Sequence, residues 1–433
     1  MTHSSTRELT TTNSRAPAAI TAILAVWAFS PELRRLIDWR VGFNAISIVS
    51  MLPYLVLVPA VLIVVYGKRL PRVDGRLLAA TFVWVGGFTF SLWIAFANGN
   101  MLPGVYSYVL FIVPAIFGLW VATVRAPEEA LRERISSAVL WLATVLSLYA
   151  AVQFAILPAW DSSWMRNANI TSIGTPIPFG FRVFSTLNAP APFADFLVCA
   201  MLLNMPRLGR RPLIPVQFAI TLGALALTQV RADWIALVLG IACYLAFSPQ
   251  RMRAMTVLGA VVLAFGSLGA IAPVVLGDTQ LGTTISDRLG TLTNLSDDVS
   301  YNERLQYLGG PLTWALEDPV GSGLGVIGTA AKLSDTSRTR DFDNGYIARL
   351  TEMGWFGSVC YFGTVLFAFG FALWRRRQAE RAGDPDGAAF AAATAALGLA
   401  LIALDTSSDH HNALSGLFFW LSFALVARKP EAV

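Results

Sequence analysis

The sequence predicts an all-α integral membrane protein. About twelve transmembrane helices are expected, with one large, partly helical periplasmic or extracellular loop between the ninth and tenth. Three observations carry this. Of 433 residues, 55% are hydrophobic and 14% charged, with a mean hydropathy of +0.59. A water-soluble domain carries about 25% charged residues, so lipid is the main solvent here. Apolar runs approaching the ~20 residues that span a bilayer recur along the chain. Between them lies one long polar insertion, from about Gly277 to Glu352, holding eleven acidic and six basic side chains.

Residues 1–16 are rich in Ser and Thr and read as a disordered cytoplasmic tail, with no cleavable signal peptide. Residues 17–276 carry nine expected spans: 17–36, 44–66, 77–97, 101–124, 135–157, 189–205, 213–229, 232–248 and 254–276. Pro31 and Glu32 interrupt the first of these. The seventh and eighth share one apolar run, divided at Gln229-Val-Arg231-Ala-Asp233 into two helices and a tight turn. Residues 277–353 form the extracytoplasmic cap loop, 354–427 the last three spans (354–374, 387–405 and 412–427), and 428–433 a cytoplasmic tail. A loop this long is functional or disordered, and its Trp, Leu and Tyr content favours a folded cap.

Charge at the ends of the spans sets the orientation. With the N-terminus inside, twenty Lys and Arg residues lie on the cytoplasmic side and six in the short outer loops. The positive-inside rule then puts both termini in the cytoplasm. The cap, the 158–188 loop, the Arg231 turn and the Asp405–His411 turn all face outward. The excess of five positive charges follows from this bias toward anionic lipid and does not indicate nucleic acid. Cys199, Cys243 and Cys360 lie in apolar runs and read as small core residues, with no disulfide frame or metal motif.

The outward elements hold the candidate chemistry. Arg182, in Phe181-Arg-Val-Phe-Ser-Thr-Leu-Asn188, is either an anion ligand or an interfacial side chain reaching for headgroups. Arg231 either binds an anion or pairs with Asp233 to hold its turn. Arg304 in the cap is an anion ligand or a solvated charge. Arginine suits phosphate because its planar fork makes two charge-assisted bonds and stays protonated. Asp343, followed by Asn344, either accepts a proton from a sugar hydroxyl or caps the tenth helix. Glu352 has the same two readings. His410 and His411 are adjacent, so they lack the spacing of a helical zinc pair; a supporting role beside Asp405 and Asp409 is open. Gly323-Leu-Gly325-Val-Ile-Gly328 lacks the strand-and-helix context of a nucleotide fingerprint. Those glycines read as tight turns near the membrane. Asp384-Pro-Asp386 lies in a short cytoplasmic loop with no domain to use it. No internal repeat is evident, which weakens a transporter reading.

Taken in order, several motifs resemble those of the O-antigen ligase and O-antigen or exopolysaccharide polymerase superfamily, bacterial membrane glycosyltransferases of the C-type fold. They are Arg182-Val-Phe-Ser-Thr-Leu-Asn, Leu227-Thr-Gln-Val-Arg231-Ala-Asp-Trp234, Arg304 with Asp318-Pro-Val-Gly321-Ser-Gly-Leu-Gly325, and Asp343-Asn-Gly-Tyr346 with Glu352-Met-Gly354. The resemblance implies a glycosyltransferase of the bacterial inner membrane. It would pass glycan repeat units from undecaprenyl diphosphate to an acceptor sugar hydroxyl at the outer face, with inversion and without metal or cofactor. Asp343, Arg304 and Arg231 would carry the reaction. Arg182, Arg231 and Arg304 would hold the diphosphate, and Asn344, Tyr346, Glu352, His410 and His411 would support. Trp314, Tyr301, Tyr307 and Tyr346 would offer faces to sugar or pack inside the cap. Where the ligases carry His-Asn, this chain has Asp343-Asn344, which favours a polymerase over transfer to lipid A. Implied partners are the donor, the glycan acceptor, the bilayer, and a chain-length regulator or flippase of the same pathway. Two alternatives stay open: a ligase moving finished glycan to a lipid or protein, and a polysaccharide transporter or flippase.

Overall fold

The computed structural model describes residues 4–44, 47–67, 73–168, 171–250, 309–333 and 343–428, with six single positions between 252 and 267. The described residues are mostly helical, with one isolated β-bridge between Gly174 and Phe181. Among the described residues, seven helices are long and apolar enough to cross a membrane: Ala16–Val41, Ile48–Tyr66, Gly75–Ala97, Met101–Thr123, Glu128–Ile156, Gly345–Arg381 and Pro385–Leu404. Pro190–Asn204, Leu213–Thr228, Arg231–Phe247 and Ala413–Ala427 are shorter. Eleven of the twelve expected spans thus coincide with helix. Of the ninth, only single helical positions are described, and the cap before residue 309 and residues 334–342 fall outside the described residues.

Three differences from the sequence reading have local causes. The first helix begins at Ser4 and continues through Pro31 to Val41, so Glu32 lies within a helix rather than at its end. The second expected span is broken into Ile48–Met51, Leu52–Leu55 and Val58–Tyr66, where Pro53 and Pro59 each remove a backbone donor. An additional helix, Ala159–Ala168, follows the fifth span.

The chain divides into two compact units. The first comprises residues 1–62, 124–290 and 430–433, and the second 63–123 and 291–429. In the first unit, Pro190–Asn204 is buried almost all round, which is how a helix at the centre of a membrane bundle reads. In the second, Pro385–Leu404 has that place. Its run of alanines brings neighbouring backbones close, the usual device where no hydrophobic force drives helices together. Trp84 anchors the same core, stacked on Tyr361 at 4.9 Å, edge-on to Trp420 at 5.5 Å, and donating from Nε1 to the Phe111 carbonyl at 3.1 Å. Leu62, Val65, Phe82, Trp93, Trp141, Leu148 and Leu366 are exposed on these helices, as lipid-facing side chains should be.

The helix Gly345–Arg381 is not straight. Gly354 has φ 59 and ψ −164, outside the helical region. A straight helix would separate Tyr346 and Phe362 by about 24 Å at ~1.5 Å per residue. Their rings are instead 5.5 Å apart, so the first nine residues fold back along the following helix. Only glycine suits the turn. A Cβ at Gly354 would stand 2.4 Å from the carbonyl carbon of Val320, and the φ is one that L side chains rarely adopt. Gly354→Ala is therefore expected to cost roughly 2–5 kcal/mol, combining backbone strain with overpacking. Gly363→Ala, where a Cβ meets nothing within 4 Å, should be near neutral. Apparent melting temperatures in detergent check both.

Candidate functional site

The fold-back of Gly345–Glu352 places a polar cluster inside the second unit. Asn344 caps this half-helix, its Oδ1 accepting from the Ile347 N–H at 3.1 Å. The Gly345 N–H donates to the Asp405 carbonyl at 2.8 Å, and the backbone of Ser408 leaves no room for a Cβ at Gly345. The start of the half-helix is thereby pinned to the 405–408 turn. Asp343, one residue earlier, is exposed. Capping thus belongs to Asn344, and the Asp343 carboxylate is carried on the surface at a fixed point.

Below it, Arg349 is buried at 3% exposure. Its Nη2 meets Glu352 Oε2 at 2.8 Å and Asp409 Oδ2 at 3.2 Å, and its guanidinium lies 4.6 Å from the centre of the Phe111 ring. Glu352 is fully buried and holds the glycine-rich segment. Its Oε1 accepts from the N–H groups of Gly325 and Ile327 at 2.9 and 3.0 Å. The segment runs in close contact with its surroundings: a Cβ at Gly321, Gly323 or Gly325 would each come within 2.4 Å of neighbouring backbone. These glycines seat a backbone ribbon against helix ends. Glu352 is their anchor and Arg349 its counter-ion.

A second set completes the cluster. Asp405 Oδ2 pairs with His411 Nδ1 at 2.9 Å, and Asp405 Oδ1 accepts from the His410 N–H at 3.0 Å. The Tyr361 hydroxyl lies 3.1 Å from His411 Nδ1 and 3.3 Å from Asp405 Oδ2. The Asp409 carboxyl is raised above its ordinary range by burial, with Arg349 opposing. Among the described residues, no group of three or more His, Cys, Asp or Glu is arranged to hold a metal ion.

In the first unit, the irregular segment 182–188 carries the other site element. Arg182 donates from Nε to the Thr228 carbonyl at 3.0 Å and from Nη1 to the Ser172 carbonyl at 3.2 Å. The structure therefore brings Arg182 against the turn that presents Arg231, the first residue of its helix. Asp233 turns inward and is buried, where Asp195 and Arg182 are its electrostatic neighbours. A buried network holds this segment. Gln153 Oε1 accepts from the N–H groups of Phe184 and Ser185 at 3.2 and 2.9 Å, and Ser185 sits in the left-handed region at φ 53. Arg35, 1% exposed, donates to the carbonyls of Ser185 and Leu187 and pairs with Glu32 and with Asp161, the latter at 3.0 Å. Burial pushes Asp161 up to about 6, with Arg35 opposing.

The expected site residues thus fall in two places. Arg182 and Arg231 lie together in the first unit; Asp343, Asn344, Tyr346, Glu352, His410 and His411 lie in the second. Arg304, Tyr301 and Tyr307 lie outside the described residues. Tyr346 is half-buried. Its hydroxyl donates to the Ile402 carbonyl and its ring packs on Phe362. Glu352, His410 and His411 are buried within this cluster. Sequence reasoning missed Arg349, Arg35, Asp161 and Gln153. Only spacing could have pointed to two of them: Arg349 with Glu352 and Glu32 with Arg35 stand three apart, as paired helical side chains do. No local pattern announces Asp161 or Gln153.

Residues 216–362 match the family model described as O-antigen ligase. That stretch contains Arg231, Asp343, Asn344, Arg349, Glu352 and the whole glycine ribbon. No curated protein matches the chain.

Proposed function

We propose that the chain, whose residues 216–362 match the O-antigen ligase family model, is a polymerase of polyprenyl-diphosphate-linked glycan repeat units. Glycan transfer of the ligase or polymerase type is the activity of that family. The choice of polymerase, the undecaprenyl diphosphate donor and the outer face of the inner membrane are our reading. The observation that carries it is the exposed Asp343, outside the cap of a pinned half-helix, within the matched segment.

The chemistry asks for two things. The bond between the anomeric carbon and the diphosphate oxygen breaks, and the diphosphate leaves with the electron pair. A new bond forms to the acceptor oxygen, whose proton must depart. Asp343 orients that hydroxyl or takes its proton. Arg182 and Arg231 hold the diphosphate and stabilise the charge that grows on it, the kind of electrostatic assistance that dominates many enzymes. Diphosphate is already a competent leaving group, so no metal is demanded by the reaction.

Arg231→Lys tests the diphosphate assignment. Lysine keeps the charge and loses the fork, and a charge-assisted bond is worth roughly 1.5–3 kcal/mol. Consumption of lipid-linked donor should therefore fall about ten- to a hundredfold at unchanged membrane yield. Near-normal activity in Arg231→Lys, or recovery when both Arg231 and Asp233 lose their charge, would assign Arg231 to the hairpin alone. Support for a polymerase over a ligase comes from Asp343 standing where the ligases carry histidine. Polyprenyl-linked products lengthened by whole repeat units are the expected result; glycan on a new lipid or protein would favour the ligase.

A further inference from the structure

In the first unit, residues 183–187 are buried throughout, while Arg182 and Asn188 at the two ends are half-buried. Buried backbone outside a helix must find its hydrogen bonds elsewhere, and here the partners come from three helices. Gln153, fully buried on Glu128–Ile156, uses all four of its hydrogen-bonding capacities. Its Oε1 accepts from the N–H groups of Phe184 and Ser185. Its Nε2 donates to the Ser185 carbonyl at 3.1 Å and to Asp161 Oδ2 at 2.8 Å. The Ser185 hydroxyl donates to the Leu146 carbonyl at 2.6 Å, and the Thr186 hydroxyl to the Ala28 carbonyl at 2.7 Å. Arg35, on the first helix, takes the carbonyls of Ser185 and Leu187. Trp164 Nε1, on Ala159–Ala168, donates to the Asn188 carbonyl at 3.3 Å.

Stability alone does not call for this arrangement. Ser185 is held at φ 53, a region that strains an L side chain. Arg35 and Asp161 add a buried ion pair, which is often no better for stability than apolar packing of the same volume. What both features supply is a backbone with one geometry. Strained residues held by their surroundings mark places where a group must stand in a fixed position. The group here is Arg182. It stands two residues before Phe184, the first N–H that Gln153 takes, and its own N–H donates to the Ile173 carbonyl at 2.8 Å.

We infer that Gln153 is a positioning residue for the diphosphate site: with Arg35 and Asp161 it fixes residues 183–187, and so the place from which Arg182 reaches the diphosphate. None of the three need touch the substrate. An arginine whose backbone is already set loses less freedom on binding, which raises affinity without a new contact. This rests on the assignment of Arg182 to the diphosphate, and not on the choice between polymerase and ligase.

The test measures binding of a polyprenyl diphosphate, without turnover, to the full-length protein in nanodiscs. Gln153→Met keeps the bulk of the side chain and loses all four bonds, and affinity should fall about tenfold. Ser185→Gly keeps the backbone bonds and suits the left-handed φ. Its melting midpoint should stay close to that of the wild type, while the freer segment weakens binding about threefold. Arg182→Ala should weaken binding about ten- to a hundredfold. Either variant combined with Arg182→Ala should bind no more weakly than Arg182→Ala alone, because positioning has no effect once the positioned group is gone. Should Gln153→Met give no folded protein, Ser185→Gly with and without Arg182→Ala decides. Losses that multiply in the double variants, or wild-type affinity in Gln153→Met and Ser185→Gly, would overturn the inference and leave a network that only holds the fold. Wild-type affinity in Arg182→Ala would overturn the diphosphate assignment beneath it, so the two failures are distinguishable.

Discussion

Asp343→Ala is expected to reduce glycan transfer by two to four orders of magnitude, the range for loss of a positioned acid–base group, while donor binding stays within about twofold. The separation follows from the geometry. The cap of the half-helix is made by Asn344 Oδ1, and the Gly345 N–H is held by Asp405, so neither depends on the Asp343 side chain. Asp343→Asn is the sharper variant. It keeps size and hydrogen-bonding capacity but cannot take a proton. If Asp343 acts as base, Asn is nearly as poor as Ala; if it only orients the acceptor, Asn retains much of the rate. Full activity in both variants would mean that Asp343 has no part in the reaction. Single-turnover rates with bound lipid-linked substrate, beside donor affinity for each variant, give the reading.

Glu352→Ala is expected to destabilise the second unit strongly. It leaves the buried Arg349 with Asp409 alone and removes the acceptor for the Gly325 and Ile327 N–H groups. Breaking a buried ion pair by removing one partner costs about 3–5 kcal/mol. Glu352→Gln should be milder, because its amide oxygen can still accept from the two N–H groups. A control at an exposed pair, Glu380→Ala opposite Arg376, should cost about 1 kcal/mol or less. Thermal unfolding in detergent ranks the three. A midpoint for Glu352→Ala equal to that of Glu380→Ala would contradict the view that Glu352 anchors the glycine ribbon.

What was legible in the sequence followed from solvent. Lipid demands long apolar runs, and those runs marked helices such as Gly75–Ala97 and Met101–Thr123 to within a few residues. Gly354 was legible as a break, because the apolar run begins there. The direction of the chain before it was not. The stretch Gly345–Met353 reads as cap loop from its charge, yet it is helix folded back into the unit. Its charges are hidden because their partners come from far along the chain: Arg349 meets Asp409, sixty positions later. The Arg35–Asp161 pair joins the first helix to one more than a hundred residues away. Pairings of that kind are set by packing, and no local pattern encodes them. Arg182 and Arg231 were recognisable because charge between apolar runs is expensive and stands out. Their adjacency needed the Thr228 carbonyl in place. Tyr346 has two readings in the sequence, a face for sugar or a packed ring; the choice needed the Ile402 carbonyl and the Phe362 ring in place.

The most direct measurement is transfer by the purified protein in nanodiscs, supplied with a polyprenyl-diphosphate-linked repeat unit and resolved by product length, with Asp343→Ala alongside. Glycan transfer through Asp343 predicts a ladder of lipid-linked products in the wild type, spaced by one repeat unit, and none in the variant. A wild type that leaves the lipid-linked unit unchanged, or a variant that builds the same ladder at the same rate, would contradict it.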